Sequence, residues 1–192
     1  FPIYNNFGDA IRTSAFQTAS IITTTGFSTV DFNLWPTLSK TVIMILMFVG
    51  ACAGSTGGGF KVTRIVMLFK SIKQELKRMI HPRSISSVKF EGKTLDKVTL
   101  NSVSTYLAVY LVSFIAIVLI ISFEPFDFET TFSAALSCFN NIGPGIGAVG
   151  PMGSFANYTG FSKIILSLAM LLGRLEIYPL LIALTPSTWT KK

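Results

Sequence analysis

Two short stretches of the chain have residue types suited to holding a cation with neutral oxygens. The first strip is Thr24, Thr25 and Gly26, and the second strip is Asn141, Ile142 and Gly143. Neither contains a carboxylate, which suits a partly dehydrated monovalent cation better than calcium or magnesium. Carbonyl oxygens can replace the hydration shell of such an ion, and glycine permits the backbone angles that turn a carbonyl toward it. We therefore predict backbone cation ligands in both strips.

Each strip follows a short helical segment, at residues 10–22 and 128–139. The offset of 117 residues that pairs Gly26 with Gly143 also pairs Ser20 with Ser137 and Thr13 with Thr130. Asp9 and Asp127 are the predicted N-caps. Thirteen residues rise about 20 Å, too little to cross a bilayer, so both segments read as half-helices whose free C-terminal carbonyls favour cations. The alternative is a pair of outer loops that fold back for packing alone.

The elements that would position these strips are apolar. The 192 residues are 50% hydrophobic and only 13% charged, which argues against a soluble enzyme and against disorder. Residues 98–123 form an uncharged run of membrane-spanning length, and 161–185 form a second run interrupted by Lys163, Arg174 and Glu176. We predict an all-α polytopic membrane protein with re-entrant pore-helix units.

A third apolar run, 41–69, is interrupted near its middle by a glycine-rich loop. The loop consists of Gly54, Ser55, Thr56, Gly57, Gly58 and Gly59. Irregular backbone at membrane depth persists only where protein or a water-filled cavity satisfies its polar groups, so this loop is a candidate for function. A phosphate-binding loop has similar glycine spacing, but Phe60 occupies the position that such a loop gives to lysine.

The net charge of +7 is confined to residues 61–97, which hold ten Lys/Arg and three Asp/Glu. This pattern is typical of a cytoplasmic segment, and it places both half-helices outside. Residues 70–97 are predicted to be a basic loop with an amphipathic start near 72–80. This loop either only sets the orientation in the membrane or also forms a docking surface. Because it has no interleaved aromatic residues, it does not indicate nucleic-acid binding.

A single histidine, His81, argues against zinc or triad chemistry, so we predict no enzyme activity and no cofactor.

Four motifs in order carry a family resemblance: TTTGF, GACAGSTGGGFKVTRI, CFNNIGPGIGAVGP and LLGRLEIYPLLIALTP. The chain resembles the Trk/Ktr/HKT potassium transporters, most closely their TrkH branch. The resemblance implies a potassium-channel-like fold of four tandem helix–pore helix–helix units around one pore. Residues 1–69 would be part of the third unit, 70–97 a cytoplasmic loop, and 98–192 the fourth unit with its tail. Two filter walls do not enclose an ion, so we expect this chain to be a piece of a longer protein or one of several subunits, and not to conduct alone.

The resemblance also implies roles for individual residues. The two strips would be selectivity-filter walls that bind potassium, the transported ion. The loop 54–59 would obstruct the pore until opened, and Arg174 would be a positive barrier beside it. The alternative for Arg174 is an ion pair with Glu176, although residues two apart lie on different helix faces.

The implied setting is the bacterial plasma membrane. The resemblance adds a homodimer and a cytosolic nucleotide-binding regulator of the TrkA type, with the segment 70–97 and the C-terminus on the cytoplasmic side. Two alternatives from other classes stay open: a non-conducting membrane scaffold with structural re-entrant loops, and a membrane-attached nucleotide-binding enzyme.

Overall fold

The computed structural model describes residues 4, 6–50, 55, 57–81, 88–90, 92–174, 182 and 185. Its helices are α1 (Phe7–Ile22), α2 (Thr37–Phe48), α3 (Val62–Ile80), α4 (Lys97–Ile121), α5 (Phe128–Phe139) and α6 (Gly160–Arg174). Its strands are two residues each: β1 (Val49–Gly50), β2 (Phe60–Lys61), β3 (Lys89–Phe90) and β4 (Lys93–Thr94). Single 3-10 turns lie at Phe32–Leu34, Gly147–Val149 and Phe155–Asn157.

Helix α4 is the one helix in the described ranges that is long and apolar enough to cross a membrane, over Val98–Ile121. It ends two residues before the predicted boundary at 123. One face is buried at intervals of three or four residues, as a helix packed along one side requires. The buried residues of this face are Val103, Tyr106, Tyr110, Phe114, Ile117 and Ile121. Its other face exposes apolar side chains such as Val112, Ile115 and Leu119, as contact with lipid would favour.

The half-helix α5 begins where it was predicted to begin. The Asp127 carboxylate accepts a hydrogen bond from the Thr130 amide at 3.2 Å, so Asp127 is the N-cap. Helix α1, in contrast, starts at Phe7, and the prediction of Asp9 as its cap is wrong. Asp9 lies inside the first turn and pairs with Arg12 at 3.2 Å on the exposed surface. An acidic residue is favourable throughout a first turn, so its presence did not locate the boundary.

The predicted break in the third apolar run is present. Helix α2 ends at Phe48, and β1 pairs in parallel with β2 through Val49↔Phe60 and Gly50↔Lys61. This pairing joins the two stems of the glycine-rich loop. Gly54 and Thr56 lie outside the described residues.

Helix α3 continues through Ile80, so the first part of the basic segment 70–97 is helical, and the amphipathic start forms the end of α3. Beyond it, β3 and β4 form a short antiparallel pair, Lys89↔Thr94 and Phe90↔Lys93. The end of α3 combines exposed apolar side chains with lysines. The exposed apolar residues are Phe69, Ile72, Leu76, Met79 and Ile80.

Helix α5 lies at the centre of the core. Its residues from Thr130 to Phe139 are buried except for the half-buried Phe132, because α2, α4 and α6 all pack against it. Helix α6 packs tightly against the end of α5 at Gly173, where an added Cβ would lie 1.6 Å from the Phe139 carbonyl oxygen. The predicted span 161–185 is described as continuous helix as far as Arg174.

Candidate ion-binding site

The two strips share one unusual backbone conformation. In the first strip, Thr24 and Gly26 have positive φ angles of 55° and 78°, and in the second strip Asn141 and Gly143 have 56° and 113°. A positive φ is uncommon for residues other than glycine. Its recurrence at both matched pairs shows that the duplication extends to the backbone angles.

Matched hydrogen bonds produce this conformation. The amides of Thr24 and Asn141 donate to the carbonyls of Ile21 and Cys138, each at 3.1 Å. The next amides, of Thr25 and Ile142, donate to the carbonyls of Ser20 and Ser137, each at 2.9 Å. The end of each half-helix therefore binds the amides of the strip that follows it. None of the six strip carbonyls accepts a hydrogen bond from any other residue that the structure describes, so these oxygens are available to a ligand.

The structure brings the two strips into contact with each other. A Cβ added at Gly26 would lie 2.1 Å from the Ile142 carbonyl oxygen and 3.3 Å from Pro144 Cδ. The same addition at Gly143 would lie 3.9 Å from Gly26 Cα. Glycine at position 26 is therefore required by space as well as by its φ angle.

Neighbouring side chains hold the second strip in place. Ser137 Oγ accepts a hydrogen bond from the Gly143 amide at 3.1 Å, and Asn141 Nδ2 donates to the Met170 carbonyl of α6 at 2.8 Å. Ser133 Oγ both accepts from the Ile146 amide at 2.8 Å and donates to its carbonyl at 3.0 Å. The chain after the strip is thereby fixed against α5.

Side chains of α1 hold the chain directly after the first strip. Ser20, the counterpart of Ser137, donates from Oγ to the Phe27 carbonyl at 2.6 Å. The Gln17 side-chain amide contacts Ser28 Oγ at 2.7 Å. Buried polar side chains of α1 thus turn the outgoing chain back along the half-helix, as Ser133 does on α5.

The two units are also linked away from the strips. The side chain of Asn33 donates to the Gly147 carbonyl at 3.1 Å and accepts from the Gly147 amide at 2.9 Å. Lys40 Nζ lies 2.9 Å from Glu129 Oε1. Near these contacts, the hydrogen bond from the Thr130 hydroxyl holds the pKa of the Asp127 carboxyl below its ordinary value, so Asp127 is a charged cap at neutral pH.

The described part of the glycine-rich loop lies beside the end of α5. A Cβ added at Gly58 would lie 2.3 Å from the Asn140 carbonyl oxygen, and one at Gly59 would lie 3.2 Å from Asn140 Oδ1. Ser55 Oγ accepts a hydrogen bond from the Gly57 amide at 3.1 Å. The loop therefore meets the residue that directly precedes the second strip.

Arg174 ends α6 with an exposed side chain, and its neighbour Gly173 packs on the last carbonyl of α5. Because a Cβ added at Gly173 would also lie 3.3 Å from Asn141 Nδ2, Arg174 follows a residue that is packed beside the second strip. Its alternative partner, Glu176, lies outside the described residues.

Sequence reasoning missed Asn140. The residue is 0% exposed, its Nδ2 donates to the Met47 carbonyl at 2.9 Å, and its Oδ1 accepts from the Tyr110 hydroxyl at 2.8 Å. The signal was its position, a polar residue at the end of an apolar half-helix and directly before the strip.

Comparison with known proteins places these features in one family. The sequence profile of TrkH, described as a cation transport protein, matches residues 4–191. The Trk system potassium uptake protein TrkH of Vibrio parahaemolyticus is 39% identical over 97% of this chain and 38% of its own length. Escherichia coli K12 has two such relatives with the same coverage, TrkH at 37% identity and TrkG at 35%.

A solved structure gives the same result. The crystal structure of the potassium transporter TrkH from Vibrio parahaemolyticus superposes with a TM-score of 0.88 at 39% identity, covering 97% of this chain and 40% of that chain. The chain thus spans well under half the length of the relatives it matches.

Proposed function

The chain belongs to the TrkH family of cation transport proteins, and from that membership we propose that it forms two walls of a potassium-uptake pore. The single observation that supports this most strongly is the pair of contacting strips with matched backbone angles and six carbonyls free of protein donors among the described residues. Relatives named as potassium uptake proteins match nearly all of the chain.

The proposed mechanism uses main-chain oxygens and breaks no covalent bond. A potassium ion that enters between the strips exchanges part of its hydration shell for carbonyl oxygens. The C-termini of α1 and α5 both end at the strips, and their partial negative charge favours a cation there. Ser137 Oγ accepts a hydrogen bond from the Gly143 amide, and Ser20 Oγ donates to the Phe27 carbonyl directly after the first strip, so the ligands are ordered before the ion arrives.

Passage is controlled, in this proposal, by the glycine-rich loop and Arg174. Gly58 and Gly59 lie against Asn140 at the end of α5. A loop of small residues can change its backbone conformation at low steric cost. A positive side chain beside a cation path raises the barrier to ions, and Arg174 lies one residue from the contact between α6 and α5.

The proposed setting is the plasma membrane of a bacterium, with the basic end of α3 on the cytoplasmic side. The relatives' names refer to a Trk system. From the family resemblance we further propose that the pore works as a homodimer with a cytosolic nucleotide-binding regulator of the TrkA type.

The test is rubidium uptake by cells that lack their own potassium-uptake systems. The complete product of the gene that encodes this chain should restore growth at low potassium and take up rubidium, with Escherichia coli TrkH as the positive control. A protein that reaches the membrane in normal amount and supports neither would favour the alternative of a non-conducting scaffold.

A further inference from the structure

Asn140 is the last residue before the second strip, and it is 0% exposed. We propose that its side chain is a positioning element that couples the described stems of the glycine-rich loop, residues 47–50 and 57–61, to the second strip and thereby restrains the loop. This inference rests on the proposed function, because it assumes that the loop obstructs the path of the ion.

The first stem of the loop is held by a direct hydrogen bond. Asn140 Nδ2 donates to the Met47 carbonyl at 2.9 Å. Met47 lies in the last turn of α2, where carbonyls have no partner within the helix. The Asn140 amide therefore satisfies a buried group at the point where the chain leaves α2 for the loop.

The second stem meets the same residue. The Gly58 backbone lies so close to the Asn140 carbonyl that an added Cβ would be 2.3 Å from the oxygen. Gly59, with a φ of 85°, places its own Cβ position 3.2 Å from Asn140 Oδ1. Because β1 and β2 pair between Val49 and Phe60, both stems form one unit that rests on Asn140.

Tyr110 sets the direction of the Asn140 amide. Its hydroxyl donates to Oδ1 at 2.8 Å, which leaves the NH2 group facing the Met47 carbonyl. The Tyr110 ring is in turn held between Phe139, at 4.9 Å between centroids, and Phe60, at 5.9 Å. Residues of α4, α5 and β2 thus meet at this hydrogen-bonded pair.

The second strip itself does not depend on the Asn140 side chain. Its amides donate to the Cys138 carbonyl, the Ser137 carbonyl and Ser137 Oγ. The matched residue of the first strip, Thr23, donates from its hydroxyl to Ala19 of its own helix at 2.7 Å. Loss of the Asn140 amide should therefore release the loop and leave the ion ligands in place.

The test compares rubidium uptake by the complete protein with Asn140→Leu, which keeps the volume and removes both hydrogen bonds, and with Tyr110→Phe. Basal uptake should rise about fivefold to tenfold in Asn140→Leu and by less in Tyr110→Phe. The half-saturating potassium concentration and the selectivity for potassium over sodium should not change. A general structural defect would instead lower uptake and alter both of these quantities. Unchanged or reduced uptake at normal membrane levels would contradict the coupling.

Tyr158→Phe is the matched control. Like Tyr110→Phe, it removes a hydroxyl group from a buried tyrosine. Tyr158 is 3% exposed, and its hydroxyl oxygen has no hydrogen-bond partner among the described residues. It should leave uptake unchanged.

Amide hydrogen exchange in residues 49–50 and 57–61 of the purified protein provides a readout that does not depend on transport. Exchange there should be about tenfold faster in Asn140→Leu than in the wild type, and equal rates would overturn the coupling. If the wild type takes up no rubidium, the proposed function fails, and the exchange rates still decide the coupling. If Asn140→Leu does not fold, Tyr110→Phe decides by the same comparison.

Discussion

At the scale of single residues, the chemistry of the candidate site lies in backbone atoms, and side chains act by holding them. Ser20 and Ser137 occupy matched positions and both bind the chain at or after their strip. Thr24 and Asn141 have different side chains yet the same positive φ, within one degree. At this position the two strips therefore share the backbone angle and not the side chain.

Gly26 tests this conclusion most directly. Gly26→Ala should reduce potassium uptake at least tenfold, because a Cβ would collide with the Ile142 carbonyl and a left-handed non-glycine residue costs about 1–2 kcal/mol. Gly8→Ala on α1 is the control, since an added Cβ there meets nothing within 4 Å. Rubidium uptake, normalised to protein in the membrane, measures the effect. Normal uptake by Gly26→Ala would argue against an ion path between the strips.

Arg174 gives a prediction of opposite sign. Arg174→Ala should increase cation flux through the complete protein, because it removes a positive charge beside the proposed path. Arg174→Lys, which keeps the charge, should stay close to the wild type. Flux measured in proteoliposomes distinguishes the two variants, and reduced flux in Arg174→Ala with normal incorporation would contradict the barrier role.

The strips were predicted at this scale because glycine after a half-helix is a local pattern. Asn140 was not, because its partner Met47 is 93 residues away and Tyr110 is 30 residues away. No local periodicity indicates which distant carbonyl a buried amide will reach.

At the scale of elements, close helix contacts depend on small residues at single points. Gly173→Ala should destabilise the protein by about 1–3 kcal/mol or more, because its Cβ would overlap the rigid Phe139 backbone. Gly160→Ala is the matched control on the same helix, with nothing within 4 Å of its Cβ position. Thermal unfolding in detergent measures both. Equal melting temperatures for Gly173→Ala and the wild type would mean that α6 does not pack as described.

Glu124 fixes the other end of α6. Glu124 is 9% exposed, and its carboxylate accepts hydrogen bonds from the Ser162 hydroxyl at 2.5 Å and from the Thr159 hydroxyl and amide at 2.5 Å and 3.1 Å. These hydrogen bonds hold the pKa of the Glu124 carboxyl below its ordinary value, and the bond from Ser162 has the largest effect. The carboxylate therefore adds stability above its unfolded pKa of about 4.3, and this stability is lost as the pH falls through the lower folded pKa.

Glu124→Gln should accordingly lower the melting temperature at pH 7, and its difference from the wild type should shrink as the pH falls below about 4. Glu75→Gln, on the exposed surface of α3, is the control and should change little at either pH. A Glu124→Gln difference that stays constant over this range would show that the charge of the carboxylate is not what matters.

Element boundaries followed the sequence only in part. Asp127 and Asp9 were both predicted as caps because each directly precedes a helical segment, but only Asp127 is a cap, and Asp9 lies inside the first turn of α1. The end of α3 was harder to assign, because Lys70 and Lys73 favour a loop by charge while the spacing of Phe69, Ile72 and Leu76 favours a helix.

At the scale of the whole molecule, membership of the TrkH family was predicted from the four motifs and the all-α membrane fold from composition and the apolar runs. Both are confirmed by the matches to relatives and to a solved structure. Helix α4 was predictable because hydrophobicity along one segment is a local property. The contact between Asn33 and Gly147, which are 114 residues apart, was not.

The orientation in the membrane is a prediction at this scale. With Cys52 and Cys138 replaced by alanine, a membrane-impermeant maleimide should label Ser154→Cys in intact spheroplasts and Lys73→Cys only after lysis, because basic segments stay in the cytoplasm. Both positions are exposed. Labelling in the reverse order would invert the proposed topology and place the basic end of α3 outside.

The matched amide hydrogen bonds at the ends of the two half-helices have a consequence for how such proteins diverge. Thr24 and Asn141 have the same φ angle, and Thr25 and Ile142 donate matched main-chain hydrogen bonds, although the side chains within each pair are unrelated. A duplicated gene segment whose task is performed by peptide groups can accumulate substitutions on one copy without losing that task. The common origin of the two copies would then remain recognisable in their backbone torsion angles after their sequence identity has been lost.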